Sequence, residues 1–195
     1  MSKLTRFISL LGIAVFVLSA CTNQVPSPHQ TTVSTPAATV LAPHMALLKL
    51  AGAVPASCPI TPVFTGSLGR PNLDVLPWMK AEPASSRIVA YLFYAGPVSS
   101  DTQTYRPLHT GGGYPDGSTT KILWSINNPN ASVALEITGK KLSAGHETFQ
   151  QTFPMASSPR GDYPSIVNVP TPGCWQVQIK SGTVAATVTF WVVGN

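Results

Sequence analysis

Few residues of this 195-residue chain have types and spacings suited to chemistry, and they are scattered. The stretch TGGGYPDG, Thr110 to Gly117, offers glycines of the kind that cradle a phosphate. Such a loop needs the spacing G-x-G-x-x-G and must open a helix, so that backbone N–H groups converge on the anion. Gly111, Gly113 and Gly117 miss that spacing and the strand-like KILWSI follows, so the stretch reads as a loop with an Asp116-Gly117 turn. His29, His44, His109 and His146 are the only histidines. None stands at ligand spacing from another His, Cys, Asp or Glu, and Gly145-His146-Glu147 lacks the second histidine of a zinc-protease motif. There is no G-x-S-x-G, and the seven carboxylates form no pair suited to joint acid and base work. The expectation is a non-catalytic protein without metal or cofactor.

Aromatic residues are the other candidates. Trp78, Tyr91, Phe93, Tyr94, Tyr105 and Tyr114 gather in one half of the chain. Exposed, they would make a stacking platform for a glycan or an apolar patch for a protein partner. Buried, they would be core, and IVAYLFY, apolar on both faces, suits a covered strand. Trp78, Tyr91, Tyr94, Tyr105 and Tyr114 are therefore the candidate binding patch, with burial as the competing expectation.

The elements that must position these residues read as strands. RIVAYLFYAG, TTKILWSIN, SVALEITG, ETFQQTF, SIVNV, CWQVQIK and TVAATVTFWVV have strand lengths, branched and aromatic residues and turn residues between them. Seven such runs predict an all-β, antiparallel sandwich of about seven strands. Alternation points Ile122, Trp124 and Ile126 inward, then Val133, Leu135 and Ile137, then Trp175, Val177 and Ile179, then Val184, Ala186, Val188, Phe190 and Val192. Asn127 to Asn130, NNPN, reads as a tight hairpin turn between two of these runs, and Ser181-Gly182 as another turn.

Ahead of this domain, placed at 58–195, residues 21–57 are rich in Pro, Ser, Thr and Ala without a sustained period. They read as a tether of roughly 35 Å that folding can do without. Met45 to Ala53, MALLKLAGA, reads within it either as a short helix docked on the domain or as an extended spacer. Residues 1–20 place Lys3 and Arg6 before an uncharged apolar run, Phe7 to Ala20, which is a signal-peptide pattern too short to span a bilayer comfortably. Losing it lowers the formal charge of +5 by two, too weak a balance to argue for nucleic acid. Charged residues are 10% of the chain against about 25% in an average soluble domain, which suits an exported β-protein.

Leu18-Ser19-Ala20-Cys21 resembles the bacterial lipobox, in which a branched aliphatic and two small residues precede a cysteine that is acylated and becomes the first mature residue. The resemblance implies lipid on Cys21 and a chain exported to the cell membrane or envelope, with the membrane itself as one partner. Thr22 would permit sorting to an outer membrane where the host has one. A second resemblance rests on CPIT (Cys58 to Thr61), DGSTTKILW (Asp116 to Trp124), LEITGKKL (Leu135 to Leu142), YPSIVNVPTPGCWQVQ (Tyr163 to Gln178) and VTFWV (Val188 to Val192). In that order these segments are similar to a family of small bacterial secreted proteins and lipoproteins to which no activity is attached. It implies an immunoglobulin-like sandwich and carries over no functional residue. With Cys21 given to lipid, Cys58 and Cys174 are the remaining thiols, which an oxidising compartment would pair, with two unpaired buried thiols as the alternative. Cys174 shares parity with the outward Gln176 and Gln178, so a bridge would pin the N-terminal segment at a sheet margin and not cross the core. Two functions follow as expectations: a lipid-anchored interaction module with a protein or glycan partner, or a lipoprotein that binds a small ligand or metal.

Overall fold

Twelve strands form among the residues that the computed structural model describes, which are 45–96, 103–127, 133–142, 145–156 and 161–195. They are β1 (Ala46–Leu50), β2 (Val63–Thr65), β3 (Trp78–Lys80), β4 (Ile88–Leu92), β5 (Thr104–Tyr105), β6 (Leu108–His109), β7 (Lys121–Ile126), β8 (Leu135–Lys141), β9 (Thr148–Phe153), β10 (Asp162–Ile166), β11 (Gly173–Ser181) and β12 (Val184–Val193). One sheet has seven strands in the order β10-β7-β4-β3-β2-β1-β5, the other five in the order β6-β12-β11-β8-β9. Each is antiparallel except for one parallel pair at its margin, β1 with β5 and β12 with β6.

The all-β sandwich expected from the pattern is present, with more strands than the seven runs because β1, β2, β3, β5 and β6 are five residues or shorter. Period-two alternation builds its core. Ile122, Trp124 and Ile126 of β7 meet Trp175, Val177 and Ile179 of β11 and Ala186, Val188, Phe190 and Val192 of β12 in one buried cluster. Buried polar atoms are matched within it: Trp124 Nε1 donates to Ser165 Oγ at 3.0 Å, and Ser165 Oγ donates to the Ile122 carbonyl at 3.1 Å. Tyr163 Oη donates to the Val133 carbonyl at 2.9 Å.

Three expectations are corrected. First, β7 and β8 are not a hairpin. β7 pairs with β4 and β10 while β8 pairs with β11 and β9, so the chain changes sheet between them; residues 128–130 of NNPN lie outside the described residues. Inward alternation on both strands is the same whichever sheet they join, because the two sheets share one core. Second, Val133 precedes β8 and is 42% exposed, so only Leu135 and Ile137 of that trio face inward. Third, MALLKLAGA is neither a docked helix nor a spacer. It carries β1, which pairs with β2 through Ala46, Leu47 and Leu48 and with β5 through Lys49 and Leu50. Leu48 is buried in the core cluster, so the folded unit takes in the end of the segment read as tether.

A stability effect follows. Burying a leucine stabilises by about 1.5–3 kcal/mol, and losing β1 also strips hydrogen bonds from β2 and β5. A chain starting at Ala56 is expected to unfold at a clearly lower urea midpoint than one starting at Thr22. Equal midpoints would show that β1 contributes nothing.

Candidate functional site

Each sequence candidate among the described residues has a definite place; His29 and His44 lie outside them. Cys21 lies outside the described residues. Cys58 and Cys174 form a disulfide with their Cα atoms 5.6 Å apart. Cys174, near the start of β11, faces outward opposite Trp191 of β12, so the bridge lies on the outer side of the five-stranded sheet and fastens the β1–β2 connection to it.

The aromatic residues do not make an exposed patch. Trp78, Tyr91, Tyr94, Tyr105 and Tyr114 are all between 1% and 8% exposed. Tyr94, Tyr105 and Tyr114 belong to the core cluster. Burial pushes the Tyr105 hydroxyl up to about 12 and raises those of Tyr94 and Tyr114 as well. Trp78 and Tyr91 sit on the outer face of the seven-stranded sheet, opposite one another on β3 and β4, under the β2–β3 loop. Arg70 clamps that loop down. Its Nη1 and Nη2 donate to the two carboxylate oxygens of the buried Asp162 at 3.0 and 2.7 Å, Nη1 also donates to Ser125 Oγ at 3.1 Å, and its guanidinium stands 5.7 Å from the Tyr91 ring centre. A cavity of about 450 Å³ beside this clamp is mostly apolar, and the clamp's own charges are spent on each other.

TGGGYPDG is a structural loop. Gly111, Gly112 and Gly117 take positive φ, and Asp116 accepts from Ser118 N and Oγ at 2.9 and 2.6 Å and from Arg106 Nη1 at 3.0 Å. Those hydrogen bonds, the Ser118 hydroxyl first, hold the Asp116 carboxyl at about 2. Arg106 also covers the Tyr114 ring at 3.9 Å and donates to Ser118 Oγ and to the Tyr94 carbonyl. His109 pairs with Asn195 Oδ1 at 2.9 Å, His146 is exposed, and Glu147 is held by the Thr171 hydroxyl and by Lys141 Nζ. Apart from the exposed His146, these groups are engaged with the protein itself.

A second cavity is built differently. Between β12 and the segments on either side of β2 and β3 lies a groove of about 670 Å³. Thr187 and Thr189 of β12 form its floor and Gln176 of β11 one wall; Pro59 to Pro62, with Glu82 and Pro83, form the other. Backbone bonds fix that second wall. Thr61 N donates to the Thr189 carbonyl at 3.0 Å, Glu82 N to the Thr187 carbonyl at 2.9 Å and Thr187 N to the Glu82 carbonyl at 2.7 Å. Thr61 Oγ1 accepts from Thr189 N at 2.8 Å, and the disulfide secures Cys58 one residue before the wall begins. The side chains of Glu82, Gln176 and Thr187 make no hydrogen bond or ion pair among the described residues, so they present free polar groups to the groove.

Beyond Thr189 on the same face of β12 stands Trp191, half-buried where Trp78, Trp124 and Trp175 are 1% exposed or less. Sequence reading passed over it, although the inward parity of Val188, Phe190 and Val192 already turns Trp191 outward with Thr187 and Thr189. Glu82 had no such signal, since its place beside Thr187 depends on a bridge between residues more than a hundred positions apart. Compared with protein-family models, curated proteins and solved structures, the chain matches none.

Proposed function

We propose that this protein is a lipid-anchored, non-catalytic binding module of the bacterial cell envelope. The observation that carries the reading is the Cys58–Cys174 disulfide, because such bonds persist in oxidising, extracytoplasmic compartments. An N-terminal run of signal-peptide type ending at Leu18-Ser19-Ala20-Cys21 supplies the route and the anchor. Two or more acyl chains on one cysteine make attachment stable where a single chain is marginal. The sandwich then displays its loops and sheet faces away from the bilayer. The free polar groove on the five-stranded sheet supports binding as its task, and a small-ligand role for the same groove is the form this takes below.

Metabolic labelling with a tagged fatty acid tests the anchor. Wild-type protein is expected to take up label and fractionate with membranes. Cys21→Ser is expected to lose the label entirely and to accumulate as precursor with residues 1–20 attached. An unlabelled wild type still carrying those residues would overturn the reading.

A further inference from the structure

The geometry points to the groove along β12 as a saccharide-binding site that takes a neutral or amino-sugar chain of about two to three pyranose rings, with Glu82, Gln176, Thr187 and Trp191 as its reading residues. This deepens the binding role proposed above and does not depend on the lipid.

Four observations carry it. The first is chemical type. A carboxylate, a primary amide and a hydroxyl line one open groove with no protein partner among the described residues, and these are the groups that pair with vicinal sugar hydroxyls. The second is the ring. Trp191, outside the lining of the cavity itself, lies two residues beyond Thr189 on the same strand face, about 6.8 Å along β12, and its half-buried indole would offer an apolar platform to the C–H face of a pyranose leaving the groove.

The third is the state of the strands beneath. β12 is paired with β11 on one side, and on the other with β6, Glu82 and Thr61. β11 is flanked by β12 and β8. Among the described residues no main-chain edge is open there for an extended peptide to add to, so a ligand in this groove is read by side chains. The fourth is charge. Glu82 is the one carboxylate among the groove's lining residues, which disfavours uronic acids and other anionic saccharides.

The groove also opens onto a polar sheet face. Gln150, Thr138, Gln178 and Thr187 stand opposite one another across β9, β8, β11 and β12, and Glu82 continues that row beside Thr187. A longer chain leaving the groove therefore meets further amides and hydroxyls in place of an apolar surface.

Tryptophan accessibility gives the test. Because the other three indoles are buried, acrylamide quenching of the full chain in a zwitterionic detergent, free of sugar headgroups, reads Trp191 nearly alone. The probes are chitotetraose, cellotetraose and maltotetraose, each to about 10 mM, with tetralysine as the cationic comparison. At least one saccharide is expected to protect Trp191 from quenching. Glu82→Ala is expected to weaken that protection about tenfold or more, since hydrogen bonds to a charged group are the strong ones. Asn72→Ala, exposed in the β2–β3 loop and outside both the groove lining and the polar row, is expected to leave it unchanged, and an unaltered signal from the buried indoles confirms that each variant is folded. Absence of protection by all three saccharides, protection indifferent to Glu82→Ala, or protection by tetralysine alone would each overturn the assignment. The quenching signal is the same whether or not Cys21 is acylated, so failure here and failure of the anchor are separate results.

Discussion

Trp124→Ala is expected to lower the free energy of unfolding by about 3 to 5 kcal/mol, the range for truncating a large buried aromatic. Trp124 is fully buried at the centre of β7, with β4 on one side and β10 on the other. Its loss leaves a cavity between the sheets and removes the donor to Ser165 Oγ. Trp124→Phe separates the two contributions. It keeps most of the apolar volume and drops the indole N–H, while Ser165 Oγ still donates to the Ile122 carbonyl, so its cost is expected to be about 1 to 2 kcal/mol. Urea unfolding followed by circular dichroism measures both. A phenylalanine variant as damaged as the alanine variant would show that the hydrogen bond, and not the volume, holds this part of the core.

The disulfide gives the other large effect. Its loop spans 116 residues in separation, for which chain entropy predicts about 4 to 5 kcal/mol and measured native bridges about 2 to 5 kcal/mol. The paired substitution Cys58→Ala with Cys174→Ala is expected to lose that much stability and to steepen the denaturant slope, since the unfolded chain exposes more surface once the loop is open. Wild-type protein in reductant is expected to converge on the variant, and the variant to ignore reductant. Alkylation of both thiols in unreduced native protein would contradict the bridge. Because Cys58 precedes the Pro59–Pro62 wall, the same variant is expected to weaken saccharide protection of Trp191.

Parity along single strands was legible from sequence, and much of the core with it. Trp175, Val177 and Ile179 face inward and Gln176, Gln178 and Lys180 outward, as alternation requires. Alternation states a face and not a neighbour, so it does not distinguish a β7–β8 hairpin from the crossing between sheets that the chain makes there. β1 escaped because a five-residue strand at the end of a Pro- and Ala-rich stretch has too few periods to show itself, and its order comes from pairing with β2 and β5. The run SIVNV begins at Ser165 and runs to Val169, whereas β10 spans Asp162–Ile166, with Pro164 inside it on a sheet margin, where no ladder donor is needed. The aromatics were legible as apolar and not as covered, since the cover over Trp78 and Tyr91 is a loop whose clamp, Arg70 on Asp162, spans ninety-two positions. In the groove, Gln176, Thr187 and Thr189 share the outward parity legible in their strands, as does Trp191 beside it, whereas Glu82 arrives by tertiary pairing alone.

Tension applied between a lipid at Cys21 and a ligand held along β12 would not have to run through the packed core. It would enter at residue 45, reach Cys58 along the chain, cross one covalent bond to Cys174 and arrive in β11, beside the groove. On the anchor side the segment ahead of Cys58, including β1, is free to peel, and stripping it would lengthen the connection by about 40 to 45 Å at full extension. The chain between Cys58 and Cys174 lies inside the closed loop and is not drawn out by a pull on the N-terminal segment, although Glu82 and the Pro59–Pro62 wall within it meet the ligand. The bond thus acts as a mechanical bypass. With the anchor and the ligand site as proposed, a pull between them extends the stem before it draws on the sandwich.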